Sequence, residues 1–110
     1  STPYITINQE TNKVETLPEV SENEFFTTLG INGGDAILAV NDVDYDANNV
    51  YDLIIISQTW KNNDMITVKI KRDGKEQVIK GKIVLPYDEL DSFEATDSTK
   101  SKLREAWLKG

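Results

Sequence analysis

Asp42, Asp44 and Asp46 stand at alternate positions, the spacing at which a calcium loop presents its first carboxylate ligands. Such a loop also needs a glycine at its sixth position and a bidentate Glu at its twelfth, where this chain has Ala47 and Leu53. The segment therefore reads as an acidic, solvated turn. Other chemistry is narrowed by what is missing: the chain has no histidine and no cysteine. Thiol catalysis, disulfides and every arrangement built on an imidazole are excluded, and zinc hydrolysis loses its usual ligands. Ser, Thr, Asp and Glu are plentiful, yet no activated nucleophile or paired acid and base is visible without His. Asp88 and Asp91 form a carboxylate pair only within a segment too irregular to hold a rigid site. The expectation is a chain with no catalytic residue, no metal ligand and no cofactor of its own.

The elements that would position any binding surface can be read from pattern. Ser21 and Glu24 are spaced as a capping box, with Val20 and Phe25 placed as a hydrophobic staple, which predicts a short helix over residues 22–29. Gly30 supplies a left-handed stop, and Ile31 can fold back on the last turn. Gly33, Gly34 and Asp35 make a turn into residues 36–40, apolar throughout as a strand buried on both faces would be. Residues 4–7 are rich in strand formers and are followed by a polar turn and a second arm over residues 13–17. Val43, Asp44 and Tyr45 suggest one more short strand. The main helix is predicted over residues 50–60, capped by Asn48 or Asn49. Ile66, Val68 and Ile70 alternate with Thr67, Lys69 and Lys71, Asp73-Gly74 is a strong hairpin signal, and residues 78–85 return as the second arm.

At 110 residues the chain is long enough for one domain with an appendage. The domain is expected over residues 1–85, followed by an acidic linker over 86–98, where Asp88, Glu89, Asp91, Glu94 and Asp97 arrive without a cation. A C-terminal helix is predicted over 99–110, with Leu103, Ala106 and Trp107 on one stripe. A formal net charge of −7 disfavours polyanionic partners, so nucleic acid is not expected. No apolar run approaches the roughly 20 residues that span a bilayer. The chain begins Ser1-Thr2-Pro3, without an initiator Met or a signal peptide, and reads as a piece of something longer.

On a helical wheel Val50, Leu53, Ile54, Ser57 and Trp60 share the face that would enter a core. Ile55 and Ile56 fall outside it, and Ile56 lies near Asp52 and Thr59. These aliphatics need a partner, either neighbouring loops or a ligand.

The string Gly30-Ile31-Asn32-Gly33-Gly34-Asp35-Ala36-Ile37-Leu38-Ala39-Val40-Asn41 resembles the core signature of a PDZ domain: a helix-ending glycine, an apolar residue, then a Gly-Asp turn into a strand reading I-L-x-V-N. The resemblance extends over about residues 4–85. It implies a mainly β, α+β fold, a partly open antiparallel barrel or sandwich with a short helix, a longer groove helix and here a C-terminal tail helix. It also implies that an extended peptide adds as a strand to a sheet edge and lies against the second helix. Carried over by position, Tyr4, Ile5, Thr6 and Ile7 would be the edge strand, and Asp52, Ile55, Ile56 and Thr59 the helix wall. The family's glycine-containing carboxylate loop is not matched, because residues 3–7 lack glycine and Pro3 removes an N–H donor. Capture of a free carboxylate, of an internal segment, or of no ligand are the alternatives.

The Arg72-Asp73-Gly74-Lys75 hairpin is similar to those of bacterial protease-associated members of the family. The ending Leu103-Arg104-Glu105-Ala106-Trp107-Leu108 resembles the C-terminus of the glycyl aminopeptidase family of zinc peptidases, in which such a module follows the catalytic domain. That resemblance implies a periplasmic or secreted parent whose zinc, held by an H-E-x-x-H helix, belongs to a catalytic domain outside this chain. The partner would be a peptide or protein segment, including the parent's own catalytic domain. A degenerate module serving as interdomain scaffold, or a module of a serine protease, are the other readings.

Overall fold

The computed structural model describes residues 4–86. The linker and C-terminal helix expected beyond Pro86 lie outside these residues. In chain order the elements are β1 (Ile5–Asn8), β2 (Lys13–Thr16), a 3-10 helix (Pro18–Glu22), α1 (Glu24–Leu29), β3 (Ala36–Val40), β4 (Val43–Asp44), α2 (Val50–Ser57), β5 (Met65–Arg72) and β6 (Lys75–Lys82). The strands form one antiparallel sheet in the order β1-β2-β3-β5-β6, with β4 paired to β3 beside β2. The fold is thus mainly antiparallel β with two α-helices, an open sheet of the class expected. Its first strand is an end strand.

Burial follows the patterns that the sequence predicts. Ala36, Ile37, Ala39 and Val40 of the central β3 are all buried, and in β5 Ile66, Val68 and Ile70 are buried while the residues between them are not. The β5–β6 hairpin turns at Asp73 and Gly74, which both take positive φ, 53° and 79°, as a two-residue primed turn requires. Its second arm begins at Lys75, earlier than Val78, because the tight turn brings Arg72 and Lys75 directly opposite.

Helix α1 starts differently from the sequence expectation. Pro18 opens a tighter 3-10 helix that takes in Ser21, so the Ser21–Glu24 capping box does not form. Asn23 becomes the cap instead, with extended backbone and a side-chain oxygen that accepts from the Phe25 N–H at 2.9 Å. Val20 and Phe25 are both buried, as members of the core rather than as a staple about the cap. The other end is as expected: Gly30 has φ 77° and ψ 24°, and the Ile31 N–H reaches back to the Phe26 carbonyl at 3.0 Å.

Helix α2 ends at Ser57 rather than at residue 60. Beyond it the turns tighten, with Gln58, Thr59 and Trp60 donating to carbonyls three residues back, and the Ser57 and Thr59 hydroxyls bonding Ile54 and Ile56 carbonyls at 2.7 Å each. Asn49 occupies the cap position but makes no capping bond. Its amide is committed to the incoming loop, accepting from the Asp46 N–H at 2.8 Å and donating to the Asp44 carbonyl at 2.9 Å.

One ion pair joins these parts. Asp35, 2% exposed, accepts from Arg72 Nε at 2.9 Å and Nη2 at 2.7 Å, and from the Asn32 N–H at 2.8 Å. The same Nη2 donates to the Gly30 carbonyl at 2.8 Å, and the Thr16 hydroxyl donates to the Asp35 carbonyl at 2.9 Å. Donating to the Asp35 carboxylate raises the Arg72 pKa above its ordinary value, against the opposing effect of burial. The guanidinium therefore stays charged throughout the working pH range. Asp35→Ala is expected to destabilise the fold by about 3 kcal/mol, because it strands a guanidinium and a loop N–H; urea unfolding measures this. Gly30→Ala, forced into a left-handed conformation, should cost about 1–2 kcal/mol in the same assay.

Candidate functional site

The edge strand β1 has a definite polarity of hydrogen bonding. The Tyr4 carbonyl accepts from the Leu17 N–H at 2.8 Å, so Tyr4, Thr6 and Asn8 turn their backbone groups toward β2. Ile5 and Ile7 direct theirs the other way. Among the described residues no strand pairs with β1 on that outer side. The side chains alternate as well: Ile5 is buried at 4% exposure and Ile7 is half-buried against the core, whereas Thr6 is exposed.

Helix α2 is anchored to the same hairpin at both ends. At its start, the Ala47 N–H donates to the Asn12 carbonyl in the β1–β2 turn at 3.0 Å. Past its end, Trp60 stacks on Phe25 at 5.6 Å, Phe25 meets Phe26 edge-on at 5.1 Å, and Phe26 lies 5.8 Å from the Tyr4 ring at the head of β1. The helix thus runs antiparallel to β1, from its turn end to its first residue. Leu53 and Ser57 point inward and are buried, and Trp60 is 6% exposed, so it fills the core.

The opposite face of α2 carries the residues that the sequence pattern singled out. Ile55 is 59% exposed and Ile56 46%, and Asp52 and Thr59 are exposed beside them. Single exposed aliphatics are ordinary, but two neighbouring ones on the same side of a helix make a small apolar patch. The structure therefore brings a sheet edge and an uncovered apolar helix face onto one hairpin. Of the eight residues, Ile5 is the one whose side chain is withdrawn into the core; only its main chain points outward. Tyr51, 74% exposed, was not among the sequence candidates. It stands one helical turn before Ile55, and that i, i+4 spacing was the available signal.

Asp52 is electrostatically active where it sits. Burial first, and then the negative charge of Asp52, raise the pKa of the Tyr45 phenol above its ordinary value of 10.0. The Asp42–Asp46 region forms no metal cage. Asp46 instead accepts from the Asn48 N–H at 2.8 Å in a local turn, and no group of three or more carboxylates is placed to hold an ion among the described residues. Asp42 and Asp44 line, with Lys69, Thr67, Ala39 and Val78, a shallow hollow of about 280 Å³.

No family model and no curated protein matches the chain. Two solved structures of the PDZ domain of EpsC from Vibrio cholerae are similar to it. One, of residues 219–305, is 17% identical over 74% of this chain and 95% of that one, with a TM-score of 0.46. The other, of residues 204–305, is 19% identical over 74% of this chain and 79% of that one, with a TM-score of 0.49.

The raised Tyr45 pKa has a definite sign in stability. The neutral phenol is the favoured folded form, so its contribution is complete below about pH 10 and is lost as pH rises through the higher folded value. Asp52→Asn should move the Tyr45 transition back toward the ordinary value, and Tyr45→Phe should remove a component that titrates above pH 10 in an alkaline absorbance titration.

Proposed function

We propose that this domain binds an extended peptide segment, which adds as a strand to the outer edge of β1 and lays its side chains against Asp52, Ile55, Ile56 and Thr59 of α2. Backbone pairing along β1 would supply sequence-tolerant affinity, and alternate side chains would meet the helix wall. The observation that carries this reading is the coincidence of an end strand with two exposed isoleucines on the helix anchored alongside it. The absence of glycine at residues 3–7, with Pro3 lacking an N–H, favours an internal segment over a free carboxylate.

The domain is non-catalytic in this reading, since it has neither His nor Cys. Its resemblance to modules of the glycyl aminopeptidase family supports a parent zinc peptidase, periplasmic or secreted. There the domain would position substrate or regulate access to a catalytic domain. The sequence upstream of Ser1 tests that assignment: an H-E-x-x-H helix supports it, and a trypsin-like domain replaces it with a serine protease parent.

Ile56→Lys tests the groove itself. At 46% exposure its substitution should leave unfolding within about 0.5 kcal/mol of wild type, while peptide binding followed by backbone amide shifts at β1 and α2 falls at least tenfold. Silence across a library of internal and free-carboxylate peptides would favour a scaffold with no ligand.

A further inference from the structure

The far end of the sheet is closed by β6, whose margin can be read residue by residue. The turn at Asp73 and Gly74 sets Arg72 opposite Lys75, and at the other end of the hairpin the Ile83 N–H donates to the Asp64 carbonyl at 2.8 Å. Bonded and unbonded residues alternate along an antiparallel pair, so Lys75, Gln77, Ile79 and Gly81 turn their backbone groups toward β5. Glu76, Val78, Lys80 and Lys82 turn theirs outward. Among the described residues no strand pairs with β6 on that side, and no residue of β6 is buried.

A long margin in unbroken register is a template for another strand unless its side chains oppose one. Lysine is the usual deterrent, and Lys75, Lys80 and Lys82 are all present. Glu76 changes what they deter. Val78, 59% exposed, lies midway between Glu76 and Lys80, and all three share the sheet face that carries Lys69. When a second β6 is laid antiparallel with Val78 on Val78, each Glu76 falls directly opposite a Lys80, and Lys82 lies diagonal to the same carboxylate. Lys75 then faces Gly81 and Lys82 faces Gly74, so no two cations are directly opposed. Centring the pair two residues earlier or later instead sets Glu76 on Glu76 or Lys80 on Lys80. Glu76 already meets Lys69 at 3.1 Å, but that pair is well exposed and holds its carboxylate only weakly.

We propose that β6 is a self-association edge, at which two copies of this chain pair antiparallel about Val78 and continue the sheet across a two-fold axis. The contact is self-complementary, so each Glu76–Lys80 pair occurs twice. Main-chain bonds from Glu76, Val78 and Lys80 hold the seam, the two valines cover one another, and the charges fix the register. A single strand and one apolar pair bury much less than the roughly 800 Å² per partner of a standard interface, so the dimer is weak and concentration-dependent.

Sedimentation velocity of the full chain from roughly 10 µM to 1 mM is expected to show reversible growth toward a dimer, with concentration-dependent amide shifts centred on β6. Glu76→Lys alone and Lys80→Glu alone should each weaken association at least tenfold, since each sets like charges opposite one another twice. An equimolar mixture of the two variants should regain association, because in the mixed dimer every facing pair is again opposite in sign. Ile56→Lys on α2 should leave dimerisation unchanged. A chain that stays monomeric at the highest concentration overturns the proposal. So does association that survives both single variants, a loss that mixing does not restore, or an equal loss in the Ile56→Lys control.

Discussion

Asp35 has almost no access to water, yet it carries a side-chain ion pair with Arg72, and the geometry around it leaves little room for variation. A carboxylate buried this deeply is tolerable only when its oxygens are fully engaged. They are engaged by two guanidinium nitrogens and a loop N–H. The arrangement reaches across the chain, since the same guanidinium closes the C-terminal end of α1 at Gly30 and belongs to the last residue of β5. Thr16 adds the end of β2 to the knot through its hydroxyl. The helix stop, the glycine turn and the entry into β3 are thereby fastened to two strands.

From this knot the path to the candidate surface is short. Because β2 is pinned at Thr16, β1 is held as the outermost strand by its pairing from Ile5 to Asn8. Because α1 is pinned at Gly30, Phe25 and Phe26 present a fixed aromatic surface on which Trp60 stacks. The candidate groove lies between these two consequences. Its residues are far from Asp35 in sequence and depend on it through packing.

Much of this was legible in the residue pattern. Alternation in β5, the continuous apolar run of β3, the Asp73-Gly74 turn and the inward stripe of α2 each reflect a local rule that tertiary packing reinforces. The misreadings arose where two local rules competed. Ser21 and Asn23 are both good caps, and Pro18 decided between them by starting a tighter helix. Asn49 satisfies the rule for a cap by type, but the loop from Asp44 to Asp46 claimed its amide first. In the site, wheel geometry identified the exposure of Ile55 and Ile56 but passed over Tyr51, since a tyrosine in a helix's first turn carries no signal of its own. The Asp35–Arg72 contact spans 37 positions, and nothing in composition or periodicity pairs two charges that distant.

The double anchoring of α2 has a mechanical meaning. A helix moored at one end by a backbone hydrogen bond to the Asn12 carbonyl and at the other by a stacked tryptophan behaves as a fixed jaw rather than a hinged one. The outer face of α2 is therefore a preformed surface, with little conformational freedom of the helix left to lose on contact.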